Sequence, residues 1–384
     1  MNQTENMQEL IKKERVKTVV GAASAGTYGN VYAGNALIGE NPKLNVADRG
    51  FLYVQPGLSI GAGSRQLSVN LIYNSKLGNV QSLCGGMPEG WKLDAHQFLK
   101  YDGADSENIP TYKYIDSYGY VHTFVRYNQS PEEYSDADGI GYTLKKNNSQ
   151  WEISDISGDR MVFDGSGRLV KTISGFNSSI VKIFTYSGSQ LTKIYDNRDA
   201  DTYISFSYSS GILQNIYVYY NSVLKATLNL AASGNLFSEV KYKVNANSTD
   251  FKSLVSFEYG SGKLTGIKDE MTKAATRVTY NSDSVSKVEQ GYKESSFVSR
   301  TSLTVSANET YSATSLCRKL VLKSEKNVYA TYYLDKRANI LSTFEGTSIG
   351  DLHTVSVDNG VSLGFEGTSS ETINGHKCAT LNGA

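Results

Sequence analysis

Cysteine is scarce in this chain, and the few that occur are far apart. The three residues, Cys84, Cys317 and Cys378, form no CxxC pair and have no metal-ligand spacing. An odd, sparse set of this kind is expected to be unpaired, which argues against a disulfide framework. Cysteine usage therefore leaves the redox compartment open.

Long apolar runs are also missing. No stretch of eighteen apolar residues occurs, so the sequence predicts no membrane span. Residues 2–19 are polar and charged, and no apolar stretch of the signal-peptide kind follows them. A protein acting outside the cell would then need a non-standard export route or a longer chain.

Residues 4–17 are predicted to form a short helix with a thin apolar stripe.

The chain has no excess charge of either sign. Thirty-eight basic residues balance 38 acidic ones, and no dense Lys/Arg run occurs. This balance argues against a nucleic-acid binder, which needs a basic surface to displace counterions from phosphates. Only 5 prolines stand against 35 glycines and 27 tyrosines, a composition typical of β-structure with one solvated face.

What the chain does contain is a repeat. An alternating strand ends on an aromatic, a small Gly/Ser turn follows, and then come Leu and an aliphatic residue three positions later. Tyr186 is followed by Leu191, Tyr208 by Leu213 and Tyr259 by Leu264, always at five positions, and Tyr280 and Val285 keep the same step. A fixed period in this range indicates a repeat architecture. The sequence predicts an all-β fold, a spiralling antiparallel sheet of stacked hairpins.

Two units depart from the five-residue step. The pairs Phe163–Leu169 and Leu230–Leu236 span six positions, which suggests one extra turn residue in each. In an ideal strand, Leu and an aliphatic residue at plus three lie on opposite faces. A bulge after the turn would restore the pleat, so we expect one in each unit.

Upstream of the repeats, alternation predicts further strands. Residues 91–93 and 96–99 are read as one hairpin, residues 111–115 and 120–125 as another, and residues 127–141 as a polar loop. We divide the chain into an N-terminal helix and lead-in (1–57), a β-rich segment (58–150), the repeats (151–345) and the opening of a further β-domain (346–384).

Catalytic or metal-binding patterns are weak. No nucleophile elbow, HExxH or Walker-type loop is present. The histidines, at positions 96, 122, 353 and 376, are scattered; His376 and Cys378 share a strand face without a second pair of ligands. We predict no catalytic, cofactor-binding or metal site.

Two acidic loops and a group of tyrosines are the strongest candidates for a binding or catalytic site. The first loop holds Glu132, Glu133, Asp136 and Asp138, and is read as solvated rather than as a glycosidase pair, with calcium at Asp136 and Asp138 as the alternative. The second loop is Asp196-Asn197-Arg198-Asp199-Ala200-Asp201, where calcium remains an alternative to ordinary turn chemistry. The tyrosines are read as a structural ladder, with a sugar- or protein-binding face as the alternative. They are Tyr203, Tyr208, Tyr217, Tyr219 and Tyr220.

Residues 163–169 (FDGSGRL) and 332–337 (YYLDKR) resemble the YD repeats of RHS proteins. Residues 67–75, 90–93 and 116–124 resemble, in order, the segment that precedes those repeats. The resemblance covers roughly residues 65–345. It implies a β-wall that closes around a C-terminal toxin, or an extended surface protein.

Three departures limit what carries over from that family. Most units lack the Asp after Tyr and the Gly-Arg before Leu, and the six to eight units are too few to enclose a cargo. The self-cleavage segment that ends many family shells is also absent.

The sequence therefore predicts a non-enzymatic scaffold of a bacterial cell-contact or toxin-presenting protein, secreted or on the cell surface. Its expected partner is a protein or an encapsulated polypeptide. The alternative is a carbohydrate- or receptor-binding adhesin module of a surface or virion tail protein. We expect no cofactor and no nucleic acid.

Overall fold

The structure is a computed structural model. It describes residues 32–35, 39–45, 48–104, 108–129, 131–137, 140–244, 250–312, 315–334, 340–349, 354–356, 362–364, 368–373 and 376–381. The helix predicted at 4–17 lies outside these residues. The chain divides into a central body, residues 51–273, and a terminal body that contains residues 30–50 and 274–384.

The described residues are almost entirely extended. The strands, in chain order, are β1 (Tyr32–Asn35), β2 (Gly39–Asn45), β3 (Gly50–Ile60), β4 (Leu67–Asn74), β5 (Trp91–Leu93), β6 (Phe98–Ala104), β7 (Pro110–Ile115), β8 (Val121–Gln129), β9 (Glu132–Asp136), β10 (Thr143–Asn147), β11 (Gln150–Ser154), β12 (Arg160–Phe163), β13 (Leu169–Ile173), β14 (Val181–Ser187), β15 (Gln190–Asp196), β16 (Asp199–Ser209), β17 (Ile212–Tyr220), β18 (Val223–Ser233), β19 (Leu236–Val244), β20 (Lys252–Gly260), β21 (Lys263–Asp269), β22 (Ala274–Asn281), β23 (Ser284–Lys293), β24 (Phe297–Ser312), β25 (Ser315–Lys323), β26 (Tyr329–Leu334), β27 (Ile340–Gly346), β28 (Thr354–Ser356), β29 (Ser362–Gly364), β30 (Thr368–Ile373) and β31 (His376–Leu381). Helix within the described residues is limited to two 3-10 segments, Gly63–Arg65 and Gly78–Leu83. None of the described helices is long and apolar enough to cross a bilayer.

The central body is an antiparallel ladder with a small sheet beside it. From β6 to β21, each strand pairs antiparallel with the next along the chain. Strand β4 pairs with both β3 and β5. This is the predicted all-β arrangement of stacked antiparallel hairpins.

The terminal body repeats the same plan on its own. Strands β22 to β27 form an antiparallel ladder in chain order, and β1 pairs with β2. Two further hairpins, β28–β29 and β30–β31, follow in the region predicted to open another β-domain.

Each repeat turn is followed by the expected bulge. In the unit of Tyr208, Ser207 pairs with Asn215 and Tyr208 with Leu213, so one residue is skipped immediately after Leu213. The same shift occurs at the pairs Tyr186–Leu191, Tyr259–Leu264 and Tyr280–Val285. The skipped residue re-phases the pleat, so Leu213 and Ile216, three positions apart, are both fully buried.

A side-chain hydrogen bond accompanies most of these bulges. In four units the skipped residue is Thr or Ser, and its hydroxyl donates to a carbonyl seven residues earlier. The four donors are Thr192 (3.0 Å), Ser238 (3.2 Å), Thr265 (3.3 Å) and Ser286 (3.1 Å). A bulge disrupts the local ladder, and these hydroxyls satisfy a backbone acceptor beside it.

The unit near residue 236 corrects the sequence reading. The register pairs Ala232 with Phe237 and Ser233 with Leu236. Phe237 rather than Leu236 therefore occupies the buried Leu position, and Val240 follows it at plus three; both are 0% exposed. Counting from Leu230 to Leu236 missed this because an alanine stands where the other units have an aromatic.

Two upstream predictions were also wrong. Strand β5 pairs with β4 and β6 with β7, so residues 91–93 and 96–99 are not a hairpin. The segment read as a polar loop contains strand β9, which pairs on both sides. Charged neighbours hid its core residue, Tyr134, which is 0% exposed. The predicted hairpin of residues 111–115 and 120–125 is confirmed.

Candidate functional site

The most organised polar arrangement in the central body is a row of contacts between residues 51–99, here called the docking segment, and the repeat turns. The backbone N–H of the motif leucine is the recurrent donor. Leu169 N–H donates to the Gln97 carbonyl (3.1 Å), Leu213 N–H to the Gly86 carbonyl (2.7 Å) and Leu264 N–H to the Tyr73 hydroxyl (3.0 Å). The docking segment therefore contacts three of the repeat units through the same donor, the N–H of the motif leucine.

The terminal body contains the same contact. There the N–H of Val285, the residue equivalent to the motif leucine, donates to the Arg49 carbonyl at 2.8 Å. Both bodies use one device to satisfy the amide next to a bulge.

Trp91 is the centre of the docking segment. Its ring is 0% exposed and lies 4.9 Å from the ring of Phe257 and 5.7 Å from that of Phe237, which belong to two different repeat units. Its Nε1 donates to the Tyr259 hydroxyl at 3.0 Å. One side chain therefore joins the hydrophobic faces of two hairpins.

The repeat tyrosines link one unit to the one before it. Tyr186 donates its hydroxyl to the Leu169 carbonyl (3.0 Å), and Tyr208 donates to the Leu191 carbonyl (2.8 Å), in both cases seventeen residues back. Tyr259 has the same register position but its hydroxyl accepts from Trp91 instead. The three tyrosines thus occupy equivalent places in their hairpins.

Lys92 is a buried cation that sequence reasoning did not single out. Its side chain is 0% exposed, and its Nζ donates to the carbonyls of Asp116 (2.8 Å) and Ser117 (2.6 Å). Burial lowers the pKa of Lys92 to about 8. The only signal in the sequence was a lysine in the middle of an apolar triplet, Trp91-Lys92-Leu93.

His96 lies in the same region and has no catalytic geometry. Its Nδ1 accepts the Leu93 N–H (3.2 Å), and its Nε2 has no hydrogen-bond partner among the described residues. Burial, with the nearby Lys92 charge, lowers the pKa of His96 to about 3, so the ring is neutral. The buried thiol of Cys84 has a pKa raised by burial to about 11, which makes it a poor nucleophile.

The other three histidines are His122, His353 and His376. His122 is buried, and its Nε2 lies 3.4 Å from Asp116 Oδ2. His353 lies outside the described residues, as do the side chains of His376 and Cys378.

The described carboxylates of the first acidic loop form hydrogen bonds and an ion pair with nearby protein groups. Glu133 pairs with Lys145 at 2.6 Å, and this contact lowers the pKa of the Glu133 carboxyl. Glu132 accepts the Tyr134 hydroxyl at 2.5 Å. Asp136 accepts two backbone N–H groups of the following turn, from residues 140 and 142; Asp138 lies outside the described residues. The pKa of Glu133 is thus lowered, which is opposite to the raised pKa that a general acid requires.

The second acidic loop is likewise satisfied from within. Asp196 is buried and holds Arg198 through bonds of 2.8 and 2.5 Å. Asp199 accepts the N–H groups of Asp201 and Thr202, each at 3.2 Å. No group of three His, Cys, Asp or Glu side chains positioned to hold a metal ion occurs in the described part of the chain.

Two of the predicted tyrosines, Tyr203 and Tyr219, form a stacked pair. Tyr203 and Tyr219 stack with centroids 4.6 Å apart and planes at 17°. The Lys193 ammonium lies 4.0 Å from the Tyr203 centroid and 4.9 Å from that of Tyr195. Protein groups therefore contact the rings of Tyr203, Tyr219 and Tyr195, whereas Tyr220 is 47% exposed. Tyr208 belongs instead to the row of inter-unit hydrogen bonds, and sequence reading omitted Tyr195.

No protein-family profile and no curated protein matches the chain. Two weak structural neighbours are Tc toxin chains. The crystal structure of TcdB2-TccC3-TEV gives a TM-score of 0.19 and 8% identity over 81% of this chain and 23% of that one. The pore of the Photorhabdus luminescens Tc holotoxin, with a mutated TccC3, gives 0.19 and 8% over 87% and 23%. The chain spans about a quarter of the length of these chains.

Proposed function

We propose that this chain is a non-enzymatic scaffold of the RHS/YD-repeat kind, part of a bacterial cell-contact or toxin-presenting protein. Its role is structural: the stacked hairpins form a surface against which a partner protein or an enclosed polypeptide packs. We place it outside the cytoplasm, secreted or displayed on the cell.

The observation that supports this proposal is the docking row. In three units of the central body the motif leucine N–H is satisfied by the docking segment. In two units the tyrosine hydroxyl ties one hairpin to its predecessor with the same seventeen-residue offset. The leucine N–H groups and tyrosine hydroxyls of the repeats thus hold the hairpins together, as a scaffold requires.

The motifs quoted above link this architecture to the RHS/YD repeats. Asp164 of the FDGSGRL unit accepts the Arg168 guanidinium at 2.8 Å and the N–H groups of Ser166 and Arg168 at 2.9 and 3.0 Å. This explains physically why such a turn needs Asp, Gly and Arg at those positions.

The test is made in the producing bacterium. Proteolysis of intact cells should remove the protein, and deletion of its gene should abolish killing or inhibition of neighbouring cells while growth alone is unchanged. Protection from protease in intact cells, or unchanged competition, would contradict the proposal.

The non-enzymatic part has its own test. Purified protein incubated with peptidoglycan and polysaccharide substrates should release no product. Hydrolysis that disappears in E132Q, E133Q or D136N would identify an enzyme instead.

A second candidate, a carbohydrate-binding adhesin, is favoured by one observation. Tyr101 is 55% exposed and its ring lies 5.6 Å from that of Tyr112, which in turn lies 4.5 Å from that of Trp151. Exposed aromatic clusters suit sugar recognition. A glycan array distinguishes the two: binding lost in Tyr101→Ala supports the adhesin, and no bound glycan supports the scaffold.

A further inference from the structure

A groove in the central body is lined by several polar groups that have no hydrogen-bond partner within the described residues. It has a volume of about 420 Å³ and lies between the turn that joins β11 to β12 and the turn that joins β13 to β14. The two turns are in close contact, because a Cβ on Gly175 would come within 2.4 Å of the Gly158 carbonyl carbon. The groove is therefore bounded by two hairpin ends held against each other.

One wall supplies a cation that is available to a ligand. Lys182 lines the groove, and in the described part of the chain its ammonium has no hydrogen-bond or ion-pair partner. The residue paired with it across the strands is Asp196, which would be its natural partner. Asp196 is instead engaged by Arg198 at 2.5 Å, so the Lys182 charge is not neutralised.

The turn of β11 and β12 supplies carboxylates. Asp155 uses Oδ1 to accept the N–H groups of Ser157 and Asp159, both at 2.9 Å. Asp159 uses its Oδ1 to accept the Gly175 N–H at 2.6 Å. In each residue, Oδ2 has no hydrogen bond within the described residues, so one carboxylate oxygen remains for a ligand.

Two hydroxyls and an apolar floor complete the lining. Tyr142 and Thr172 line the groove, and neither hydroxyl has a hydrogen-bond partner within the described ranges. Burial and the charges of Asp116, Asp155 and Asp136 raise the pKa of Tyr142, which keeps its hydroxyl a donor at neutral pH. Met161, Ile173 and Ile180 supply apolar surface.

We infer that this groove binds a short peptide with free ends and an apolar side chain. The peptide ammonium pairs with Asp155 and Asp159, and its carboxylate pairs with Lys182, assisted by the Thr172 and Tyr142 hydroxyls. Opposite charges on one groove favour a zwitterion over a ligand of either single charge, since each charge left unpaired on binding would lose its hydration. The volume admits a ligand of a few residues.

The same two turns carry apolar side chains that enlarge the contact. Ile156 is 89% exposed and Phe176 is 96% exposed. Large apolar residues so fully exposed on adjacent turns are typical of a recognition surface. Neither residue lines the groove itself, but each belongs to a turn that does.

The test is isothermal titration calorimetry on the whole chain with the tripeptide Ala-Leu-Ala. The free tripeptide should bind, and acetylation of its amino end or amidation of its carboxyl end should each weaken binding about tenfold, which corresponds to about 1.4 kcal/mol. Equal binding of the free and doubly capped peptides, or no heat at millimolar peptide, would overturn the inference.

Single substitutions test which side chain binds each end of the peptide. Lys182→Met should abolish the difference between the free and amidated peptides, and Asp159→Asn should reduce the difference between the free and acetylated ones. Lys171→Met is the matched control: Lys171 is exposed on the neighbouring strand and does not line the groove. Thermal unfolding verifies that each variant folds. Loss of binding in the Lys171 variant alone, or displacement of the peptide by neutral sugars, would also overturn the inference. None of these outcomes bears on the scaffold proposal.

Discussion

At the scale of single residues, the repeat tyrosine is more than an aromatic spacer. The ring of Tyr208 lies against Gly86, where an added Cβ would come within 2.4 Å of ring carbon Cε1. Its hydroxyl bonds to the preceding unit. The ring therefore fills the contact with the docking segment, while the hydroxyl fixes the neighbouring hairpin.

Tyr208→Phe should lower the free energy of unfolding by about 1–2 kcal/mol, because it removes a hydrogen bond to a backbone carbonyl in a partly buried site. Denaturant unfolding followed by circular dichroism measures this. Tyr220→Phe is the control: Tyr220 is 47% exposed, and its change should stay within about 0.5 kcal/mol. Equal effects in the two variants would contradict a specific role for the Tyr208 hydroxyl.

His96 predicts a pH dependence of stability. Its pKa is lowered to about 3 in the folded chain and is about 6.5 in an unfolded chain. Between these values the unfolded state binds a proton that the folded state does not. Stability should therefore fall as the pH drops below about 6.5, with a slope approaching 1.4 kcal/mol per pH unit from this residue.

His96→Asn removes that titration while keeping an acceptor for the Leu93 N–H. Its unfolding free energy should change less between pH 6.5 and 4 than that of the parent chain, measured by urea unfolding at each pH. Parallel profiles for the two proteins would exclude His96 as the cause of acid sensitivity.

At the scale of elements, the turn glycines differ in what surrounds them. Gly167 and Gly211 have nearly the same backbone angle, φ 79° and 81°. A Cβ on Gly167 would lie 1.9 Å from the Leu99 carbonyl oxygen, whereas a Cβ on Gly211 meets nothing within 4 Å. The first glycine is thus required by conformation and by contact, the second by conformation alone.

Gly167→Ala should therefore destabilise the protein more than Gly211→Ala, by about 2 kcal/mol beyond the shared conformational strain of about 1 kcal/mol. Thermal and denaturant unfolding of the two variants gives the difference directly. Equal losses would mean that residues 97–99 are not held against the turn of residues 164–168.

The hairpin unit also shows how much local sequence achieves. Ser210-Gly211 and Ser261-Gly262 have positive φ at both residues, which is the type I′ geometry that suits a two-residue hairpin. Such turns fix the register of Tyr208 against Leu213 without help from distant residues. A period read from the sequence was therefore a reliable guide to the strands of the repeats.

At the scale of the whole molecule, stability depends on long-range contacts of the docking segment. Trp91→Ala should cost about 3–5 kcal/mol, since it empties a fully buried site shared by two repeat units. Trp151→Ala is the control, because Trp151 is only partly buried. Its loss should be smaller.

Hydrogen exchange separates this prediction from a merely local cavity. In Trp91→Ala the amides of Leu213 and Leu264, which donate to the docking segment, should exchange faster than in the parent chain. Mass spectrometry of the peptides that contain them measures this. Unchanged exchange at both amides would contradict a shared role for the segment.

The sequence by itself determined the all-β class, the hairpin period and the bulge after each turn, because turn chemistry and alternation act over a few neighbouring residues. Only the tertiary structure decided that Lys92 and His96 are buried, that Phe237 replaces Leu236 and that the charge of Lys182 is left for a groove. Those outcomes depend on which distant strand lies opposite each residue. A shift of one residue in strand register would move each side chain from the buried face of the sheet to the solvated face, or the reverse.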